Sequence, residues 1–258
     1  LLFNFYYGYR GVFPIDSFLT FDAAFNIISG NHPFKDYWLI TGPLLDYIQS
    51  LFFLIFGINW FSYVLHASLL NMMLALFSFY FFLNIGLKTF YAFIYSLAVA
   101  VLAYPPIGTP FIDHHAAIFG IMALYSLSLG ILTKKNLFWF FTPMFLVFSF
   151  FSKQIPSSYL LILFVIVISY YFFITKALSK QNFLYLFFGS LFSILSIIII
   201  FFINEIPVKN FLVQYIFYPF SIGEGRIDKL NIDFKNSISQ FKFIYFSLIP
   251  LLISLLFL

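Results

Sequence analysis

From residue 182 to residue 203 the chain reads NFLYLFFGSLFSILSIIIIFFI, with no charged side chain in the run. A helix needs roughly 20 apolar residues to cross the hydrocarbon core of a bilayer. A stretch this long and this uniform does not suit a water-facing helix, which keeps a polar face. Similar runs recur along the chain. Spans are expected at about 60–86, 89–104, 112–132, 137–152, 156–175, 182–203 and 241–258, with Pro143 placed to kink the short fourth one. Composition agrees, since 63% of the residues are hydrophobic and only 9% charged, against about 25% charged in soluble domains. The expected fold class is all-α: a polytopic, multi-pass helical bundle integral to the membrane.

The remaining composition excludes several functions. The net charge of +4 comes from Lys and Arg scattered singly or in pairs, without the basic stripe that nucleic acid demands. With no cysteine, disulfides and thiolate metal sites are ruled out. No repeat of solenoid type is visible. The chain opens LLFNFYYGYR, without Met or a basic leader, and ends inside FSLIPLLISLLFL. It therefore reads as a fragment of one transmembrane domain, lacking a signal peptide, that begins at the tail of one span and stops within another.

Charge sets the orientation. If the spans alternate, one set of short connections carries Lys88, Lys134, Lys135, Lys176 and Lys180, and the other carries only Lys153. By the positive-inside rule the first set is cytoplasmic. Segments 9–59 and 204–240 then lie outside, with 103–111 and 152–156. The outer side collects Asp16, Asp22, Asp36, Asp46, Asp113, Glu205, Glu224, Asp228 and Asp233, and every histidine except His66. A passive bundle gives no reason for such asymmetry.

Within the first outer segment two short helices are expected in the interface plane. SFLTFDAAFNIISG has apolar residues at helical spacing, Ser17 as a candidate cap and Gly30 as a stop. GPLLDYIQSLFFLIFG has Pro43 near its first turn and Gly57 at its end. Tyr37, Trp38 and Tyr47 suit an interfacial aromatic belt, and Lys35 reads as solvated.

The order of these features resembles the first outer loop of the GT-C membrane glycosyltransferases. Here it comprises Asp16, Gly30, HPFKDYW and TGPLLDYIQSLFFLIFG. The likeness is to the dolichyl-phosphate-mannose protein mannosyltransferases and their bacterial relatives, including the aminoarabinose transferases of lipid A. Three further stretches are similar to that family's later segments: FIDHHAAIFG at 111–120, FFSKQIPSSY at 150–159 and FLVQYIFYPFSIGEGRI at 211–227. The resemblance covers residues 9 to about 227. It departs at the first site, where Asp16-Ser17 replaces the family's Asp-Glu.

The resemblance implies a GT-C type bundle of about seven spanning helices over 60–258, with 9–59 as the catalytic outer loop. It implies transfer of a sugar from a polyprenyl-phosphate donor to a lipid, glycan or protein acceptor on the non-cytoplasmic face, the periplasmic side of a bacterial inner membrane. Asp16 would be the base for the acceptor. Lys153 with Gln154, and Arg226 in a Gly-rich loop, would hold the donor phosphate. Asp113, His114 and His115 would contact sugar or phosphate. Asp36 would pin the loop, and Asp22 would either support the site or face headgroup water. No organic cofactor is implied. A divalent cation held by Asp16, Asp113 and His114 is the competing reading, although adjacent histidines on a helix point about 100° apart. The rival functions are a transporter or flippase for a lipid-linked or small anionic substrate, a scaffold and a polytopic acyltransferase. Transporters carry charged or broken helices near the bilayer midplane, whereas these acids fall at span ends.

Overall fold

The computed structural model describes residues 1–12, 16–103, 108–227, 238–239 and 241–255. The side chains of 156, 224–227, 243, 247, 251 and 254–255 are not among those described. By contact the chain divides into two compact units, residues 1–216 and 217–258.

In the first unit a short helix, α1 (Leu2–Gly8), precedes the two helices of the first outer segment, α2 (Leu19–Ile28) and α3 (Leu44–Phe56). Then follow α4 (Trp60–Asn84), α5 (Thr89–Leu102), α6 (Ile112–Thr133), α7 (Asn136–Ser152), α8 (Gln154–Ser169), α9 (Lys180–Ile203) and α10 (Val208–Phe211). Helix α8 runs on into a π-helical turn at Tyr170–Ile174, and α10 into another at Leu212–Phe217. The second unit contains α11 (Tyr218–Ile227) and α12 (Lys242–Leu255). No strand occurs among the described residues; a single bridge joins Pro33 and Tyr37.

Among the described residues four helices are long and apolar enough to cross a membrane: Trp60–Asn84, Ile112–Thr133, Ser157–Ile174 and Lys180–Ile203. The described residues are thus all-helical, with four helices of the length and composition of membrane spans. The other expected spans are shorter. Helix α5 has 14 residues and α7 has 17, giving about 21 and 26 Å at 1.5 Å per residue, and α12 also has 14. Helix α7 runs through Pro143.

Local chemistry accounts for the breaks. Asn59 caps α4 by accepting from the Ser62 N–H at 2.9 Å. Ser179 and Asn182 form a reciprocal capping box at α9. Gly30 and Gly57 take φ of +89° and +83°, the left-handed geometry that stops α2 and α3 where expected. Helix α2 starts at Leu19 with Phe18 at the cap position and no side-chain cap bond. Ser17 is therefore not its cap; its carbonyl instead accepts the Tyr63 hydroxyl at 2.7 Å.

Helix α6 is the central column, packed against α4, α7 and α8. Its Ile118, Phe119 and Met122 meet Ala67, Leu70 and Leu74 of α4. Its Ala123 and Leu127 meet Trp139 of α7 and Phe164 of α8. Helices α7 and α9 touch at Gly189, where a Cβ would collide with the Phe140 carbonyl oxygen. Small residues permit such approach between membrane helices. The most apolar windows of α8 and α9 are only 11% and 17% buried, so their Phe- and Ile-rich flanks suit lipid rather than water.

Candidate functional site

The joint between α7 and α8 is where the fold first exposes chemistry. Residue 155 precedes Pro156, and a residue before proline is driven out of the helical region. Ile155 accordingly adopts φ −105°, ψ 130°, and Lys153 is extended at φ −158°, ψ 142°. The break turns Lys153 outward, where its ammonium forms an ion pair with Asp113 in the first turn of α6. Both side chains stay part-exposed, at 35% and 49%. Gln154 faces the protein. Its amide nitrogen donates to the carbonyls of Ile40 at 3.1 Å and Tyr215 at 2.8 Å. The Gln154 amide N–H groups, expected to serve a donor phosphate, are thus engaged by backbone carbonyls.

Asp16 lies in the turn before α2, exposed, at φ +67°. Few residues other than glycine accept that conformation, and Asp is one of them. The Tyr63 hydroxyl reaches the Ser17 carbonyl at 2.7 Å and the Pro110 carbonyl at 3.4 Å. One side chain therefore ties the Asp16 turn to the residues leading into Asp113. Gly42 closes the assembly from the other side, donating its N–H to the Ser152 carbonyl at 3.1 Å. Asp16, Asp113 and Lys153 consequently belong to one end of the first unit.

The remaining expected residues have surroundings of their own. Asp22 is exposed in the first turn of α2, where a carboxylate suits the helix dipole. Asp36 accepts from the His32 N–H at 2.7 Å and closes its own loop. Burial lowers the His32 imidazole pKa, with Asp36 opposing and Lys35 adding to the shift. Lys35 is not simply solvated: it pairs with Glu205 at 3.3 Å and donates to the Asn204 carbonyl. Arg226 sits in helix α11 of the second unit and not in a loop; its side chain lies outside the described residues. Asp228 and Asp233 also lie outside them. Among the described residues no three His, Asp or Glu side chains are grouped to hold a metal ion, so the cation reading on Asp16, Asp113 and His114 finds no ligand set there.

The adjacent histidines diverge. His114 is part-buried with its ring beside Phe111. His115, expected to contact sugar or phosphate, is fully buried. Its Nδ1 lies 3.0 Å from the Phe111 carbonyl and its Nε2 3.1 Å from His66 Nε2. The Nδ1 of His66 is 2.9 Å from Oε1 of Gln49. His66 of α4 thus meets α6 through His115. Proton placement follows from donor and acceptor rules. The Phe111 carbonyl requires a hydrogen on His115 Nδ1, so a neutral His115 presents a lone pair at Nε2. His66 Nε2 must then donate. A neutral His66 leaves Nδ1 as acceptor, so flipping the Gln49 amide lets its Nε2, without a partner among the described residues, donate there in place of Oε1.

Gln49 and the neighbouring Asp46, one turn apart on α3, are both buried. Asp46 Oδ2 and Gln49 Nε2 find no hydrogen-bond partner among the described residues. Burial pushes the Asp46 carboxyl well above its usual range, and burial together with Asp46 pushes the Tyr37 and Tyr47 phenols up. The sequence pattern alone does not bring Asp46, Gln49 and His66 together as a set. The available signal was Asp46, Gln49, Ser50 and Phe53, which share the buried face of α3 at helical spacing. Comparison with family models, curated proteins and solved structures found no match to this chain.

Proposed function

We propose that this chain is a membrane-embedded glycosyltransferase of GT-C type, moving a sugar from a polyprenyl-phosphate donor to an acceptor on the face opposite the Lys-rich connections. The observation that carries the reading is the Lys153–Asp113 pair, held part-exposed at a proline-induced helix break on the end that also bears Asp16. Departure of a lipid phosphate builds negative charge, and a fixed cation stabilises it in proportion to how little the site reorganises. Lys153 supplies the cation, with Asp113 occupying it until phosphate arrives. Asp16 takes the proton from the acceptor hydroxyl or amine as its oxygen or nitrogen bonds to the sugar. Asp36 fixes the loop between α2 and α3. The apolar flanks of α8 and α9 leave room for the prenyl chain.

The test is transfer from radiolabelled polyprenyl-phosphate sugars in proteoliposomes. Wild type should consume donor, and Asp16→Asn should slow it by about 100-fold or more, the lower range of general-base contributions. Transfer undiminished in Asp16→Asn would sink the assignment. The buried Asp46, Gln49, His66 and His115 favour one second reading, a proton-coupled transporter, because ionisable groups at membrane depth serve proton relays. Substrate uptake driven by a pH gradient, without any sugar transfer, would select it.

A further inference from the structure

Helix α6 carries Asp113 in its first turn, and its 22 residues put its other end about 33 Å away. At that far end is a cavity of about 290 Å³ that the proposed transfer leaves unused. Lys134, Asn136, Trp139, Tyr171, Gln181 and Asn182 line it, and no carboxylate does. The two ion pairs among the described residues engage Lys35 and Lys153, so Lys134 has no acidic partner there. Trp139 is 1% exposed, yet its indole N–H finds no acceptor among the described residues. Gly130 permits this placement, since a Cβ there would lie 3.2 Å from the indole nitrogen. Helix α7 begins at Asn136 with no side-chain cap and no acid in its first turn, so its positive dipole end is at the same cavity. Cation, buried donor and helix end together call for a phosphate group.

A second feature says what carries that phosphate. An apolar groove of about 270 Å³, lined by Ile168, Ser169, Phe172, Phe173 and Phe183, adjoins the cavity in sequence on both arms of the same helical hairpin. Tyr171 and Asn182 belong to the cavity, while their neighbours Phe172 and Phe183 belong to the groove. The π-helical turn at Tyr170–Ile174 changes the side-chain spacing where the two meet, and such turns often mark functional positions. We propose that this end of the first unit binds an anionic phospholipid, with the phosphate on Lys134, the Trp139 indole and the start of α7, and an acyl chain in the Phe-lined groove. The site is independent of the transfer reaction at the other end.

The full chain in phosphatidylcholine nanodiscs, titrated with phosphatidylglycerol and read by native mass spectrometry, tests the proposal. Wild type should retain phosphatidylglycerol in preference to phosphatidylcholine. Lys134→Gln should weaken that retention about 5-fold, the worth of one lysine near an anionic headgroup. Trp139→Phe should weaken it about 10-fold, the worth of one hydrogen bond to a charged group. Lys88→Gln, a lysine outside the cavity, should leave it unchanged. Lys134 is exposed, so its variant should fold even if Trp139→Phe does not. Equal retention of the two lipids, or Lys134→Gln matching wild type, would overturn the site. Displacement of the lipid by an equal concentration of inorganic phosphate would overturn its assignment to a lipid.

Discussion

Replacing His66 and His115 one at a time and then together should give a stability change with a sign that simple packing does not produce. His115→Leu removes the acceptor of His66 Nε2, leaving one buried N–H without a partner. The Phe111 carbonyl keeps the His115 backbone N–H at 3.0 Å, so no second group is stranded. His66→Leu strands two groups, His115 Nε2 and the Gln49 amide. The double variant strands only Gln49. Each stranded group costs about 1–3 kcal/mol, and pairs inside membrane proteins fall near or below the low end of that range, so about 1 kcal/mol each is the working value. His115→Leu then costs about 1 kcal/mol in the wild type and restores about 1 kcal/mol in the His66→Leu background, a coupling of about 2 kcal/mol. Leucine keeps an apolar body against Phe52, whose ring stacks on His66 at 5.0 Å. Reversible unfolding in mixed detergent micelles, followed by helicity, reads all four proteins. If His115→Leu lowers stability equally in both backgrounds, the imidazole contact does not exist as described.

Two further predictions rest on single residues. Burial raises the Asp46 carboxyl above its unfolded value of about 3.9, so the folded state keeps a proton that the unfolded state releases. Its contribution is full below that value and is lost as pH rises toward the raised folded pKa. Asp46→Asn should therefore unfold at higher denaturant than wild type at about pH 8, with a flatter pH profile above about pH 4. A wild-type profile that rises over the same window would contradict this. Gly189→Ala should destabilise by about 1–3 kcal/mol, the cost of overpacking, because its Cβ would meet the Phe140 carbonyl oxygen and sit 2.9 Å from Pro143 Cγ. Thermal unfolding of the variant measures it, and an unchanged midpoint would mean α7 and α9 are not in contact there.

The helices were legible because hydropathy and breakers act locally. Spans read at 60–86 and 112–132 are found at Trp60–Asn84 and Ile112–Thr133, while the one read at 89–104 is a helix of only 14 residues, Thr89–Leu102. Gly30 and Gly57 stop α2 and α3 where their freedom at positive φ is needed. The interior of the polar network was not legible. Helix α6 is apolar on nearly all sides, so its pattern does not say which of His114 and His115 turns inward; packing against α4 decides that. Asp46 reads in sequence as one more outer acid, and only the rotation of α3 buries it beside Gln49. Lys35 and Glu205 lie 170 residues apart, and nothing local announces their pairing. The Lys153–Asp113 pair is also long-range, yet both members were singled out, because each is a charge at the edge of an apolar run.

Under the proposed orientation Asp16, Asp113 and Lys153 lie at one face of the membrane and the lysines of the short connections at the other. The chain has no cysteine, so single substitutions give an unambiguous readout with a membrane-impermeant maleimide. Asn31 and Lys135 are both exposed. Asn31→Cys should react in intact cells, and Lys135→Cys only after permeabilisation. Reaction of both from the same side would contradict the arrangement on which the transfer site and the lipid site depend.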